Sequence, residues 1–165
     1  MGRLSLVNDP MTAPHDLPAF LRLAKQAAHE DGGDPAAASL LPDTQQLEFR
    51  DGEFCYRDVC AGSTHFVGHE IVYRAERAAW AMSYSGGLAH DVEAGRAEEV
   101  YAFLRQALRQ QPHDMPLRGP ALFGQDGLRY DCRTTGTLEC FHGTETIRQG
   151  MQTLYTLYFS GGCIA

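Results

Sequence analysis

The chain has 165 residues, 44% of them hydrophobic, and a formal net charge of −7, which is one domain's length with too much apolar content to be disordered. Its 21 acidic residues outnumber 14 basic ones, of which only Lys25 is lysine, and that balance argues against the basic stripe a nucleic-acid backbone requires. No apolar run approaches the roughly 20 residues of a membrane span, and the first fifteen residues lack a signal-peptide core, so a cytoplasmic protein without membrane or direct nucleic-acid contacts is expected.

In chain order, the first predicted element is a helix. Asp16 is placed to cap it, Pro18 suits its first turn, and Phe20, Leu21, Ala24, Ala27 and Ala28 recur at helical spacing until Gly32-Gly33 stops it. Four strands are predicted next, near 46–50, 53–60, 65–74 and 78–85, with Asp51-Gly52 as the first hairpin turn. A second helix carries Val100, Phe103, Leu104, Ala107 and Leu108 and ends before Pro112. Strands near 120–125, 128–134, 138–148 and 152–160 follow, the first pair turned by Asp126-Gly127.

The second set of elements repeats the first. Phe66-Val67-Gly68-His69-Glu70 recurs 75 residues on as Phe141-His142-Gly143-Thr144-Glu145, and Trp80, Met82, Tyr84, Ser85, Gly86 and Gly87 fall on Tyr155, Leu157, Phe159, Ser160, Gly161 and Gly162. Tyr56 matches Tyr130 if one residue is inserted between strands of the second copy. The expectation is a single α+β domain over 1–165, built from α-β-β-β-β repeats at 17–87 and 98–162. Eight mostly antiparallel strands would form a curved sheet with a pseudo-two-fold axis and both helices on one face.

Strand alternation sends Tyr56, Phe66, Gly68, Glu70, Val72, Trp80, Met82 and Tyr84, with Tyr130, Phe141, Gly143, Glu145, Ile147, Tyr155, Leu157 and Phe159, to the core face. Glu70 and Glu145 are the anomalies there, because a buried carboxylate must be protonated, paired with a base or open to a cavity. One reading is a salt bridge to Arg118 or another arginine that holds the halves in register. The other is a ligand pocket of Glu70, Glu145 and Arg118 among Tyr56, Trp80, Tyr84, Tyr130 and Tyr155, suited to an amine or aromatic cation. Gly68 and Gly143 would leave room for a helix or ligand to approach.

Other chemistry finds less support. Paired carboxylates suggest glycoside hydrolysis, but duplication alone accounts for the pair. The Ser-Gly-Gly turns at Ser85 and Ser160 lack the context of a nucleophile elbow. His65 and His69 lie four residues apart on one strand, about 13 Å, too far to share an ion. Five cysteines at spacings matching no metal knuckle read as reduced packing residues. No metal or cofactor is therefore expected.

The motifs Tyr56-x-Asp58, Phe66-x-Gly68-x-Glu70, Trp80-x-Met82-x-Tyr84-x-Gly86, Arg118-Gly119-Pro120, Phe141-x-Gly143-x-Glu145 and Gly161-Gly162 resemble an uncharacterised bacterial family, domain of unknown function 5680, over about residues 17–164. The resemblance implies a domain that occurs alone or behind an XRE-type helix-turn-helix, and it supplies no chemistry. The leading expectation is a non-enzymatic ligand-sensing or regulatory module for a small molecule. A carboxylate-dependent enzyme such as a hydrolase, and a protein-interaction module that forms a homo-oligomer, are the alternatives.

Overall fold

A computed structural model describes residues 17–30, 39 and 41–164. Helix α1 (Leu17–Glu30) precedes strands β1 (Thr44–Asp51), β2 (Phe54–Gly62), β3 (His65–Arg74) and β4 (Arg77–Leu88). A 3₁₀ turn then leads into α2 (Ala97–Leu108), and β5 (Leu122–Gln125), β6 (Leu128–Thr137), β7 (Cys140–Gln149) and β8 (Gln152–Cys163) complete the chain. The Asp16 cap and the Gly32-Gly33 stop lie outside the described residues. No described helix is long and apolar enough to cross a membrane.

All eight strands form one antiparallel sheet in the order β1-β2-β3-β4-β8-β7-β6-β5, so the fold is α+β with two four-stranded meanders joined edge to edge. At the junction Tyr84 pairs with Phe159. These two residues are 75 apart, so the pseudo-two-fold axis passes between them. The one-residue difference between the halves sits in the second turn of each meander: three residues separate the paired Gly62 and Phe66, and four separate Gly136 and Phe141. The Asp-Gly turns also differ. The first closes Asp51 on Phe54, so its loop is Gly52-Glu53, whereas the second closes Gln125 on Leu128 and puts Asp126 and Gly127 in the loop with φ of +53° and +81°.

Helix α1 packs on β1 and β2, and α2 reaches β6, each laying its apolar stripe on one sheet face. Leu17, Phe20, Leu21 and Ala24 are buried from α1, with Phe20 stacked on Phe54 at 4.9 Å; Val100, Phe103, Leu104, Ala107 and Leu108 are buried from α2, with Phe103 stacked on Phe123 at 5.2 Å. Burial of these stripes supplies the main stabilisation of both helices. Phe66, expected in the core, is only partly buried. Gly68 and Gly143 admit neither helix nor ligand: a Cβ at Gly68 would fall 2.4 Å from the Tyr84 hydroxyl oxygen, and one at Gly143 would fall 2.2 Å from the Phe159 ring. The neighbouring strand's aromatic ring fills the space each glycine leaves. All five cysteines are free, and Cys140 is exposed, contrary to a packing role.

The turn between β3 and β4 is built from Ala75 and Glu76, with φ of +47° and +64°. Left-handed backbone costs roughly 1 kcal/mol at each non-glycine residue. Replacing the pair by Asn-Gly is therefore expected to raise the free energy of unfolding by about 1–2 kcal/mol, measured as a higher urea midpoint at unchanged slope.

Candidate functional site

Each half of the sheet carries one glutamate on its covered face. Glu70 on β3 lies between Asp58 and Met82 of the adjacent strands, and Glu145 on β7 lies between Cys132 and Leu157. Both are buried. An ionised carboxylate in such a place must find a cation and hydrogen-bond donors, and the two halves meet that demand differently.

Around Glu145 the demand is met in full. Arg118 donates from Nε to Oε2 at 3.0 Å and from Nη2 to Oε1 at 2.5 Å, while the Tyr130 hydroxyl donates to Oε2 at 2.7 Å and the Tyr155 hydroxyl to Oε1 at 2.8 Å. Tyr130 is held in turn, because its hydroxyl accepts the Gly119 N–H at 3.0 Å. A Cβ on Gly119 would lie 2.8 Å from that oxygen, so the approach needs glycine. Burial alone would raise the Glu145 pKa, but the Arg118 charge and the bonds from Arg118, Tyr130 and Tyr155 outweigh it and hold the carboxyl below its usual range. Arg118 is likewise held well above its ordinary value: burial works against the guanidinium, and the Glu145 charge prevails. This cluster is closed.

Glu70 is paired from a different element. Lys25 of α1 places Nζ 2.6 Å from Glu70 Oε2 and donates to the Leu117 carbonyl at 2.7 Å. The contact with Oε2 is short but poorly aligned, so charge rather than a directed hydrogen bond holds it. Burial depresses the Lys25 pKa, and the Glu70 charge offsets that only in part. Beside this pair stands Asp58, whose Oδ1 accepts the Tyr84 hydroxyl at 2.7 Å. Burial first and the neighbouring Glu70 charge second push the Asp58 carboxyl up to about 7, against the lowering effects of the Tyr84 bond, Lys25 and Arg118.

These groups face a cavity of about 320 Å³ between the sheet, both helices and the segment that follows α2. Tyr56, Asp58, Glu70 and Tyr84 line it from the sheet, Lys25 from α1, Leu104 and Leu108 from α2, and Leu117 and Arg118 from the segment beyond. Arg118 thus serves both halves: it pairs with Glu145, shows a face to the cavity and lies 6.0 Å from the Tyr84 ring centre. Unlike Tyr130, its counterpart Tyr56 makes no side-chain hydrogen bond among the described residues and lines the open space. Among the described residues no group of three or more His, Cys, Asp or Glu is placed to hold a metal ion.

Of the eight residues singled out in the sequence, Tyr56, Glu70, Tyr84 and Arg118 line the cavity. Glu145, Tyr130 and Tyr155 form the closed cluster, outside the cavity, because Arg118 satisfies Glu145 directly. Trp80 belongs to neither: it stacks on Phe141 at 5.7 Å and donates to the Leu138 carbonyl at 3.0 Å. Asp58 and Lys25 are the ionisable groups nearest Glu70 that were not singled out in the sequence. Asp58 was signalled by its place two residues beyond Tyr56 on the same strand, hence on the same face, and Lys25 by its position four residues after the core residue Leu21.

Replacing Glu145 with Gln leaves Arg118 buried without its counter-charge and is expected to cost about 3–5 kcal/mol of stability at neutral pH. The folded-state pKa of Glu145 lies below its unfolded value. Its contribution is therefore present above about pH 4.5 and is lost as pH falls through the folded pKa. Denaturation between pH 3 and 7 should accordingly show the variant's deficit shrinking towards the acid end; a deficit independent of pH would contradict the ion-pair role.

No curated protein and no solved structure matches this chain. A family model matches residues 58–164, a span that begins at Asp58 and takes in Glu70, Tyr84, Arg118 and Glu145 while leaving α1 and β1 outside. The chain belongs to the family described as Domain of unknown function (DUF5680).

Proposed function

We propose that this chain is a cytoplasmic, non-enzymatic binding module, derived by duplication of an α-β-β-β-β unit, whose cavity takes a small amine with an apolar or aromatic body. The observation that carries this reading is the charge balance around Asp58. Three carboxylates, Asp58, Glu70 and Glu145, meet two buried cations, Lys25 and Arg118, each already committed to one glutamate. Arg105 stands at the exposed rim, in water. Asp58 is left with a tyrosine hydroxyl as its partner, and an ammonium group would supply the missing charge. Tyr56, Phe66 and Tyr84 offer ring faces and edges for the body of such a ligand.

One observation favours a second reading. A cavity carboxyl with a pKa near 7 has the protonation behaviour of a general acid or base, so a hydrolase acting through Asp58 is the alternative. It requires turnover of a bound compound, whereas a binding module returns its ligand unchanged.

Binding is expected to depend on Asp58 in a pH-dependent way. The Asp58 carboxyl has a folded-state pKa of about 7 against an ordinary value of 3.8, so folding takes up a proton between those values. Stability of the unliganded chain therefore falls as pH rises across that window, by at most about 1.4 kcal/mol per pH unit from this group. Amine affinity moves oppositely, because the ionised carboxylate is the binding form. In a thermal-shift comparison, tyramine or benzylamine should raise the melting temperature at pH 8 by a few degrees at a hundred times the dissociation constant. The shift should be small at pH 5.5, small with benzyl alcohol, and abolished in Asp58→Asn. Equal shifts with the amine and the alcohol, or none with any amine at pH 8, would refute the reading.

A further inference from the structure

The uncovered face of the sheet carries a second, unrelated constellation. Because side chains alternate, the strands that send Gly68, Tyr84, Phe159 and Gly143 to the helices send their neighbours outward. Register lines these up in one row across five strands: Val67 pairs with Ser85, Ser85 with Tyr158, Tyr158 with Thr144, and Thr144 with Arg133. At about 4.8 Å per strand the row spans roughly 19 Å and passes from an apolar end to a cationic one. Val67 and Tyr158 are 57% and 63% exposed.

Two hollows of about 510 and 840 Å³ lie along this row and share Thr156 and Tyr158, so they form one continuous trough. The end beside Val67 offers flat surfaces, with the imidazoles of His65 and His90 parallel to within 3° at 5.5 Å. The other end has a floor of threonine hydroxyls, including Thr144 and Thr146, beneath Arg129, Arg133 and Arg148. Arg129 is neutralised by a two-point contact with Asp131 at 2.8 and 3.1 Å. Arg133 and Arg148 make no hydrogen bond or ion pair among the described residues, and Arg148 stands directly opposite Arg129 in register. In a chain of net charge −7, two unpaired guanidiniums over hydroxyl groups form a local exception with a specific chemistry.

We infer that this trough binds a small organic phosphate with a flat ring body, the phosphates lying against Arg133 and Arg148 and the ring against Tyr158 and Val67. The inference is independent of the amine cavity, which opens on the opposite face. ATP, inorganic tripolyphosphate and adenosine serve as probes of the whole trough, its cationic end and its flat end, titrated at low ionic strength into the full chain labelled for amide nuclear magnetic resonance. ATP should bind at least tenfold more tightly than either fragment and shift the amides of Thr144, Thr146 and Tyr158. The exposed double substitution Arg133→Gln with Arg148→Gln should weaken ATP at least tenfold, Tyr158→Ala should bring ATP to the level of tripolyphosphate, and Asp58→Asn should leave ATP binding unchanged. Absence of localised shifts, equal affinity for ATP and tripolyphosphate in the wild type, or an unaltered double variant would each overturn the assignment.

Discussion

A buried carboxylate on an otherwise apolar sheet face needs a cation from whatever layer covers that face, and this constraint organises the protein. Glu70 and Glu145 each project from the middle of a meander toward the helical side. Their charges can be met only if the covering segments bring bases to fixed points. Lys25 thereby docks α1 on β3 and, through the Leu117 carbonyl, ties α1 to the chain beyond α2. Gln111 adds a neutral link from that same segment to the Arg22 carbonyl of α1. Arg118, held on Glu145, completes the fixation of that segment over the sheet. Hydrophobic stripes bring helices and sheet together without specifying their relative placement; the ion pairs supply the placement, since a shift by one helical turn would strand charges at a cost of several kcal/mol.

The halves of the sheet share a frame but not a chemistry. Strand order and register match, and Glu70 corresponds to Glu145. Around these two residues the pairings differ: Asp58 stands where the second half has Cys132, Tyr84 where it has Phe159, and Trp80 where it has Tyr155. In the second half two tyrosines and an arginine converge on a single carboxylate and leave no space. In the first half an extra carboxylate is added and the indole turns to the Leu138 carbonyl instead. The first half thus has fewer donors and one more acid, and these groups border a cavity. A symmetric fold can in this way close one side and leave the other open.

Much of this was legible in the sequence because it follows from local periodicity. The 75-residue recurrence of Phe66-x-Gly68-x-Glu70 as Phe141-x-Gly143-x-Glu145 fixes two equivalent strands, and the period-2 pattern of Trp80, Met82 and Tyr84 identifies the covered face. Partner choice was not legible in the same way. Whether Arg118 meets Glu70 or Glu145 depends on the path of a loop with no periodicity, and Lys25 lies 45 positions before the glutamate it neutralises, so no spacing rule connects them. The glycines mark a further limit. Gly68 and Gly143 correctly signal close approach, but what approaches is the ring of Tyr84 or Phe159 on the next strand, a fact held in the cross-strand register.

Strand alternation also determines how two dissimilar surfaces occupy one thin sheet. On β3, Gly68 and Glu70 belong to the covered face, where Glu70 lines the cavity, while Val67 lines the open trough; on β4 and β8 the same division separates Tyr84 from Ser85 and Leu157 from Tyr158. The two surfaces are assembled from consecutive residues that point apart, so a one-residue slip in register would exchange the two sets and destroy both. Phe66 is the exception to the separation. It borders the cavity and the apolar end of the trough alike, within 6.1 to 6.4 Å of the rings of Tyr84, Tyr101 and Tyr155. Its partial exposure therefore reflects its position at the end of the sheet, where the covered and uncovered faces meet at a single side chain.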